Sequence, residues 1–131
     1  MKCVADTNTF LAVAMNEPEK TWLAGVTVGC DLVAPAVLPY EIGNALSALA
    51  KRGVLDPERV PAVWDAVAAI PVELVSINVG AALLLAVRFR LYAYDGYFLQ
   101  CALETRCPLL TLDGKMARVA RTLEINLVEK P

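Results

Sequence analysis

The sequence contains no histidine. This absence excludes Ser-His-Asp and Cys-His catalysis, and it removes the most frequent partner of cysteine in zinc sites. The cysteines, at positions 3, 30, 101 and 107, form no CxxC pair, so we expect all four to be reduced core residues. Any catalysis must therefore use carboxylates, lysines, hydroxyl groups or a bound metal.

Long apolar runs and positive charge are also scarce. The mean hydropathy of +0.51 is high, but the longest uncharged run, Leu74 to Val87, contains Ser76 and Asn78 and is shorter than the ~18 apolar residues that span a bilayer. No signal peptide precedes Asp6, so we expect a cytoplasmic protein without membrane association. A net charge of -2 excludes a general nucleic-acid binder with a broad basic surface.

The 131 residues show no repeat, low-complexity stretch or Gly/Ser linker, which predicts a single domain over residues 1–131. Short β-type runs alternate with longer helical patterns, and this alternation favours an α/β sandwich. The predicted strands are Lys2 to Ala5, Asp31 to Ala34, Val72 to Ile77, Leu109 to Leu112 and Ile125 to Val128. The predicted helices are Pro18 to Gly29, Val37 to Arg52, a helix capped by Asp56, Asn78 to Arg90 and Tyr94 to Arg106.

Four acidic residues are the candidate functional groups. Asp6 and Asp113 each end a predicted strand, and the carboxyl ends of parallel strands form the ligand-binding edge of an open sheet. Glu41 and Asp95 lie on helices without a local basic partner. Taken singly, each aspartate has another reading as a helix N-cap, and Glu41 as a solvated side chain. Four such acids together favour a cation site, because neighbouring carboxylates repel one another.

The segments around these acids resemble the ordered acidic motifs of PIN domains. They are Val4-Ala5-Asp6-Thr7-Asn8, Pro39-Tyr40-Glu41-Ile42-Gly43-Asn44-Ala45-Leu46, Ala93-Tyr94-Asp95-Gly96-Tyr97 and Leu110-Thr111-Leu112-Asp113. Within that superfamily the chain is most similar to the VapC toxins of toxin-antitoxin pairs. The resemblance extends from the first predicted strand to the fifth.

The resemblance implies a three-layer α/β/α sandwich with a central parallel sheet of five strands in the order 3-2-1-4-5. It implies an endoribonuclease that uses Mg2+ or Mn2+, with Asp6, Glu41, Asp95 and Asp113 as catalytic and metal-binding acids around an activated water. Asn8 and Thr111 are the implied polar helpers. The expected partners are RNA, a cognate antitoxin and, because the chain is rich in apolar residues, a second copy of itself.

One position departs from the family pattern. Gly96 follows Asp95 where alanine is frequent, which predicts either a looser helix or a closer backbone approach. Lys115, Arg118 and Arg121 recur every three residues after the last acid, and they are candidates for RNA phosphate contacts or simply a solvated helix face.

Two other enzyme or signalling classes on a similar sheet do not fit the sequence. A haloacid-dehalogenase-like phosphatase needs a second aspartate two residues after Asp6, where Asn8 stands. A receiver domain needs an acidic pair near the first strand and a phosphoacceptor on a middle strand, and neither is present. A PIN-fold RNA-processing nuclease that is not a toxin, or a non-catalytic interaction module of the same fold, is the remaining alternative.

Overall fold

The computed structural model describes residues 1–129; residues 130 and 131 of the predicted domain lie outside the described residues. The strands are β1 (Lys2–Ala5), β2 (Asp31–Pro35), β3 (Glu73–Val75) and β4 (Leu109–Leu110). The helices are α1 (Thr7–Ala14), α2 (Lys20–Val26), α3 (Leu38–Lys51), α4 (Val60–Ala68), α5 (Val79–Phe89), α6 (Ala93–Thr105) and α7 (Gly114–Thr122), and a 3-10 turn, Pro57–Arg59, precedes α4.

The sheet within residues 1–129 has four parallel strands in the order β3-β2-β1-β4. The predicted α/β class and strand order are confirmed, but the prediction of a fifth strand at Ile125 to Val128 is wrong. In its place Leu127 forms a single parallel bridge with Leu109. The pairing stops there because β4 is only two residues long, and at Thr111 the chain turns away to begin α7.

Helices flank the sheet in two groups. In one group α1 contacts α2, α3 and α4, and α3 also contacts α4. In the other, α6 packs against β1 and β2 and also contacts α5 and α7. The apolar side chains between these layers form the core, with Phe10 and Phe98 among its largest fully buried members. Of the cysteines, Cys3 and Cys101 are buried as predicted, whereas Cys30 and Cys107 are half-buried.

The predicted helix ends agree with the structure at several positions. The side chain of Asn78 caps α5 by accepting a bond from the Ala81 N–H at 3.0 Å. Gly53 follows the end of α3 with φ +73°, a left-handed conformation that glycine adopts without strain. Asp56 caps the 3-10 turn rather than α4 itself. Among the described helices, none has both the length and the apolar character needed to cross a membrane.

Candidate active site

Asp6 and Asp113 lie at the carboxyl ends of neighbouring strands, and Thr111 connects them. The Asp6 N–H donates to the carbonyl of Leu110 at 3.3 Å, which continues the pairing of β1 with β4. The hydroxyl of Thr111 donates to Oδ2 of Asp6 and accepts a bond from the Asp113 N–H at 3.0 Å. Thr111 thus fixes the position of the Asp6 carboxylate and of the Asp113 backbone.

Both aspartates are also helix N-caps. Oδ1 of Asp6 accepts bonds from the backbone N–H of Thr9 at 3.0 Å and from its hydroxyl at 2.8 Å. Oδ1 of Asp113 accepts bonds from the N–H groups of Lys115 at 2.8 Å and Met116 at 3.1 Å. The interpretation of these two residues as helix caps is therefore right. It is compatible with a cation site, because capping uses only one oxygen of each carboxylate.

Glu41 is held by the first residue of α1. It lies one turn into α3, where its N–H donates to the carbonyl of Val37 at 3.0 Å. The hydroxyl of the buried Thr7 donates to Oε2 of Glu41 at 2.6 Å. Because Thr7 directly follows Asp6, this bond brings α3 to the end of β1.

Asp95 lies in the first turn of α6, whose N-cap is Tyr92. Its interpretation as a cap is therefore wrong. Burial raises the pKa of Asp95, and the charges of Asp113 and Asp6 raise it further, whereas Lys115 lowers it. Lys115 is positioned beside the acids because its Nζ donates to the carbonyl of Arg90, at the end of α5, at 3.0 Å.

The four acids act on one another electrostatically. Burial is the largest cause that raises the pKa of Asp6, and the charge of Asp113 adds to it. Burial also raises the pKa of Glu41 to about 7, with further contributions from the charges of Asp95 and Asp6. The structure therefore brings together all four acids that the sequence predicts, on four different segments, at one edge of the sheet.

This donor set fits a hard divalent cation. Carboxylate oxygens are the preferred ligands of Mg2+ and Mn2+, and a bound cation would offset the repulsion that raises these pKa values. Within residues 1–129, however, no three acidic or thiol side chains converge closely enough to enclose an ion unaided. The arrangement suits Mg2+, which usually takes one or two protein carboxylates and completes its shell with water and substrate phosphate.

The polar helpers differ from those expected. Thr111 contacts two of the acids, in agreement with its predicted place in the site. The side chain of Asn8 is exposed and has no recorded hydrogen bond among the described residues, so its role stays a prediction. The hydroxyls of Thr7 and Thr9, which hold Glu41 and Asp6, were missed. The sequence signal for them is their place in the first turn after a strand-ending aspartate, with Thr7 next to Asp6 and Thr9 three residues after it.

The three basic residues of α7 occupy different surroundings. The charge of Lys115 lowers the pKa of Asp95. Arg121 forms an exposed ion pair with Glu129 at 3.4 Å, and Arg118 is exposed. Contact with RNA stays a prediction for all three.

Gly96 marks a close approach between α5 and α6. A Cβ atom added there would lie 2.6 Å from the carbonyl oxygen of Ala82 and 3.2 Å from Cβ of Ala86. Of the two explanations for glycine at this position, the structure supports the closer backbone approach. This contact holds α6 against α5 at the residue next to Asp95.

We expect Glu41→Gln to stabilise the metal-free protein at alkaline pH. Folding raises the pKa of this carboxyl from 4.5 to about 7, so wild type loses stability as the pH rises through this range, and the loss is complete above it. Glutamine does not titrate. In EDTA at pH 8 the variant should gain about 2 kcal/mol, allowing for the part of the side chain that water screens, and near pH 4 the gain should vanish.

Urea denaturation at both pH values measures this difference. Glu17→Gln, which removes a carboxyl group at an exposed position, is the control. The same pH dependence in both variants would contradict the raised pKa that burial and the neighbouring acids give Glu41.

Comparison with known proteins gives an independent view of the fold. The PIN domain profile matches residues 3–122. The structure is similar to that of PAE2754 from Pyrobaculum aerophilum, at 20% identity over 91% of this chain and 87% of that one, with a TM-score of 0.65.

It is also similar to VapBC2 from Rickettsia felis, which was solved bound to a DNA fragment from their promoter, at 13% identity over 97% of each chain, with a TM-score of 0.66. These identities support a common fold. The comparison with curated proteins gave no match. Because the PIN domain profile covers almost the whole length, the chain belongs to the PIN-domain family.

Proposed function

We propose that this protein is an endoribonuclease that depends on Mg2+ or Mn2+. The observation that carries the proposal is the gathering of Asp6, Glu41, Asp95 and Asp113 at the carboxyl edge of the sheet, where burial and mutual repulsion raise the pKa values of three of them. PIN domains are generally nucleases. A histidine-free chain has no imidazole for proton transfer, which favours chemistry based on carboxylates.

The side chains of the site have distinct tasks in this proposal. Asp6, Glu41, Asp95 and Asp113 form the cation site, in which one or two of them bind the ion directly and the others act through its water shell. Thr7, Thr9 and Thr111 hold three of these acids in place. A divalent ion bound there would lower the pKa of a bound water and would place positive charge opposite the phosphate. Lys115, whose charge already reaches Asp95, adds a positive group at the rim for an RNA phosphate.

The finer proposal is that the protein is the toxin of a VapBC-type pair. Its support is the similarity to VapBC2 over nearly the whole chain. A short upstream reading frame that encodes a DNA-binding protein and overlaps the gene would favour this role. Its absence would favour the alternative, an RNA-processing nuclease of the same fold.

The exposed face of α5 supports self-association. Leu83, Leu84 and Val87 are between 44% and 79% exposed there, and exposed apolar side chains grouped on one helix are typical of protein interfaces. We propose that two copies pair through this face. A strict monomer in light scattering at high protein concentration would contradict this part of the proposal.

Cleavage of single-stranded RNA by the purified protein tests the proposed function. We expect endonucleolytic products in Mg2+ or Mn2+, no products in EDTA, and recovery when metal is restored. A protein preparation of Asp95→Asn, purified in parallel, controls for contaminating nucleases. Cleavage that persists in EDTA, or that is equal in the variant preparation, would contradict the proposal.

A further inference from the structure

A cavity of about 300 Å3 opens at the carboxyl ends of β2 and β3. Its walls include Pro35 and Val75 from the strand ends, Val79 from the start of α5 and Tyr97 from α6, with Ser76 at the side. Most of this lining is apolar. We call this cavity the edge pocket.

The edge pocket adjoins the acidic site. Val37, which contributes to its wall, lies one helical turn before Glu41 and accepts the backbone bond of Glu41 at 3.0 Å. The turn of α6 that contributes Tyr97 also carries Asp95. The next strand along the same edge of the sheet is β1, which ends at Asp6. The edge pocket and the acidic site therefore lie along the same edge of the sheet, and both use the start of α3 and the first turns of α6.

Tyr97 contributes an aromatic ring to the edge pocket. Its ring and that of Tyr94 meet edge to face, with centroids 5.9 Å apart and planes at 87°, which is a favourable geometry for an aromatic pair. Aromatic side chains are the surfaces on which nucleobases stack.

The charge of the protein gives this contact further importance. With a net charge of -2, the chain lacks the broad basic surface that usually holds RNA through its phosphates. Besides the cation and Lys115, binding then needs contacts that do not depend on net charge, and stacking of a base is such a contact in single-stranded RNA.

We propose that the edge pocket receives the nucleobase next to the scissile phosphate, and that its shape decides which phosphodiester bond is cut. This inference rests on the proposed ribonuclease function. Tyr97 and Ser76 are its specificity residues, and the four acids need not change for the preference to change.

Two variants and two controls test the proposal. Ser76→Phe fills the pocket, and Tyr97→Ala removes its aromatic wall. Tyr97→Phe keeps the ring, and Val54→Ala shortens an exposed side chain that does not line the pocket. The probes are a single-stranded oligoribonucleotide and a set of the same oligonucleotides, each with one abasic nucleotide near the main cleavage site.

In wild type and both controls, one abasic position should lower kcat/KM about ten-fold, which is the size expected for one lost base stack. Ser76→Phe and Tyr97→Ala should lower kcat/KM for the intact oligonucleotide by a similar factor and remove the abasic effect. Their melting temperatures should still rise on addition of Mg2+, because the acids are intact.

Binding of the same probes in EDTA, measured by fluorescence anisotropy, separates the pocket from the chemistry. If no RNA is cleaved but one abasic position and Ser76→Phe both weaken binding, the proposed function fails and the pocket stands. If RNA is cleaved but no abasic position matters, or Ser76→Phe behaves as Val54→Ala does, the pocket proposal is wrong. A pocket that binds an apolar peptide side chain but no base would also overturn it.

Discussion

Asp95→Asn and Asp113→Asn should each lower RNA cleavage by at least about 100-fold while remaining folded. Loss of a group that only supports a metal ligand typically costs about 10 to 100-fold, so loss of a ligand should cost more. Asparagine still caps a helix, and Asp113 caps α7 through Oδ1, so the fold should tolerate the change. Cleavage rates and circular dichroism spectra, measured together, separate lost chemistry from lost structure.

The same variants should differ from wild type in their response to metal. In EDTA they should melt at or above the wild-type temperature, because removal of either charge relieves repulsion within the acidic site. With free Mg2+ or Mn2+ a hundredfold above the dissociation constant, wild type should gain about 2.7 kcal/mol of stability. The variants should gain much less.

Asp56→Asn is the matched control for these melts. Asp56 caps the 3-10 turn through the N–H of Glu58 at 3.0 Å, so this variant changes a capping aspartate outside the site. It should keep both activity and the wild-type gain with metal. Equal metal responses in all the proteins would defeat the metal-site interpretation, since the aspartates would then be caps alone.

Gly96→Ala should destabilise the protein by about 1 to 3 kcal/mol, the usual cost of overpacking. The added Cβ would lie 2.6 Å from the carbonyl oxygen of Ala82, so α5 and α6 must separate. Asp95 lies next to Gly96 on α6, so we also expect weaker metal binding. Chemical denaturation measures the first effect, and the metal dependence of the melting temperature measures the second.

Gly43→Ala provides a control of opposite sign. Gly43 lies within α3, and a Cβ atom there would have no heavy atom within 4 Å. Alanine in an unobstructed helix should therefore stabilise the fold by about 0.5 to 1 kcal/mol. If both substitutions stabilise the protein, the close approach of α5 and α6 is not a constraint on the sequence.

The placement of Asp6 and Asp113 could be predicted because it depends on local patterns. Each follows a short apolar run, and the edge formed by the ends of parallel strands is a general property of such sheets. The end of α3 shortly before Gly53 and the N-cap of α5 at Asn78 were predictable for the same reason.

Contacts between segments that are far apart in the chain could not be predicted from the sequence. The bond between Thr7 and Glu41 joins residues 34 positions apart and depends on how α1 and α3 pack. The run Ile125 to Val128 has the composition of a strand, but Leu109 is the one β4 residue that it pairs with. A strand needs a partner of sufficient length, and composition does not supply that information.

The pairing of β1 with β4 also has a consequence for the order of events during synthesis. Thr111 and Asp6, which it brings into contact, are 105 residues apart in the chain. The ribosome adds about 5 to 20 residues per second, so Asp6 waits several seconds or more for its partner. The acidic site therefore cannot assemble on the nascent chain until β4 has emerged, and a product terminated before β4 lacks both Thr111 and Asp113.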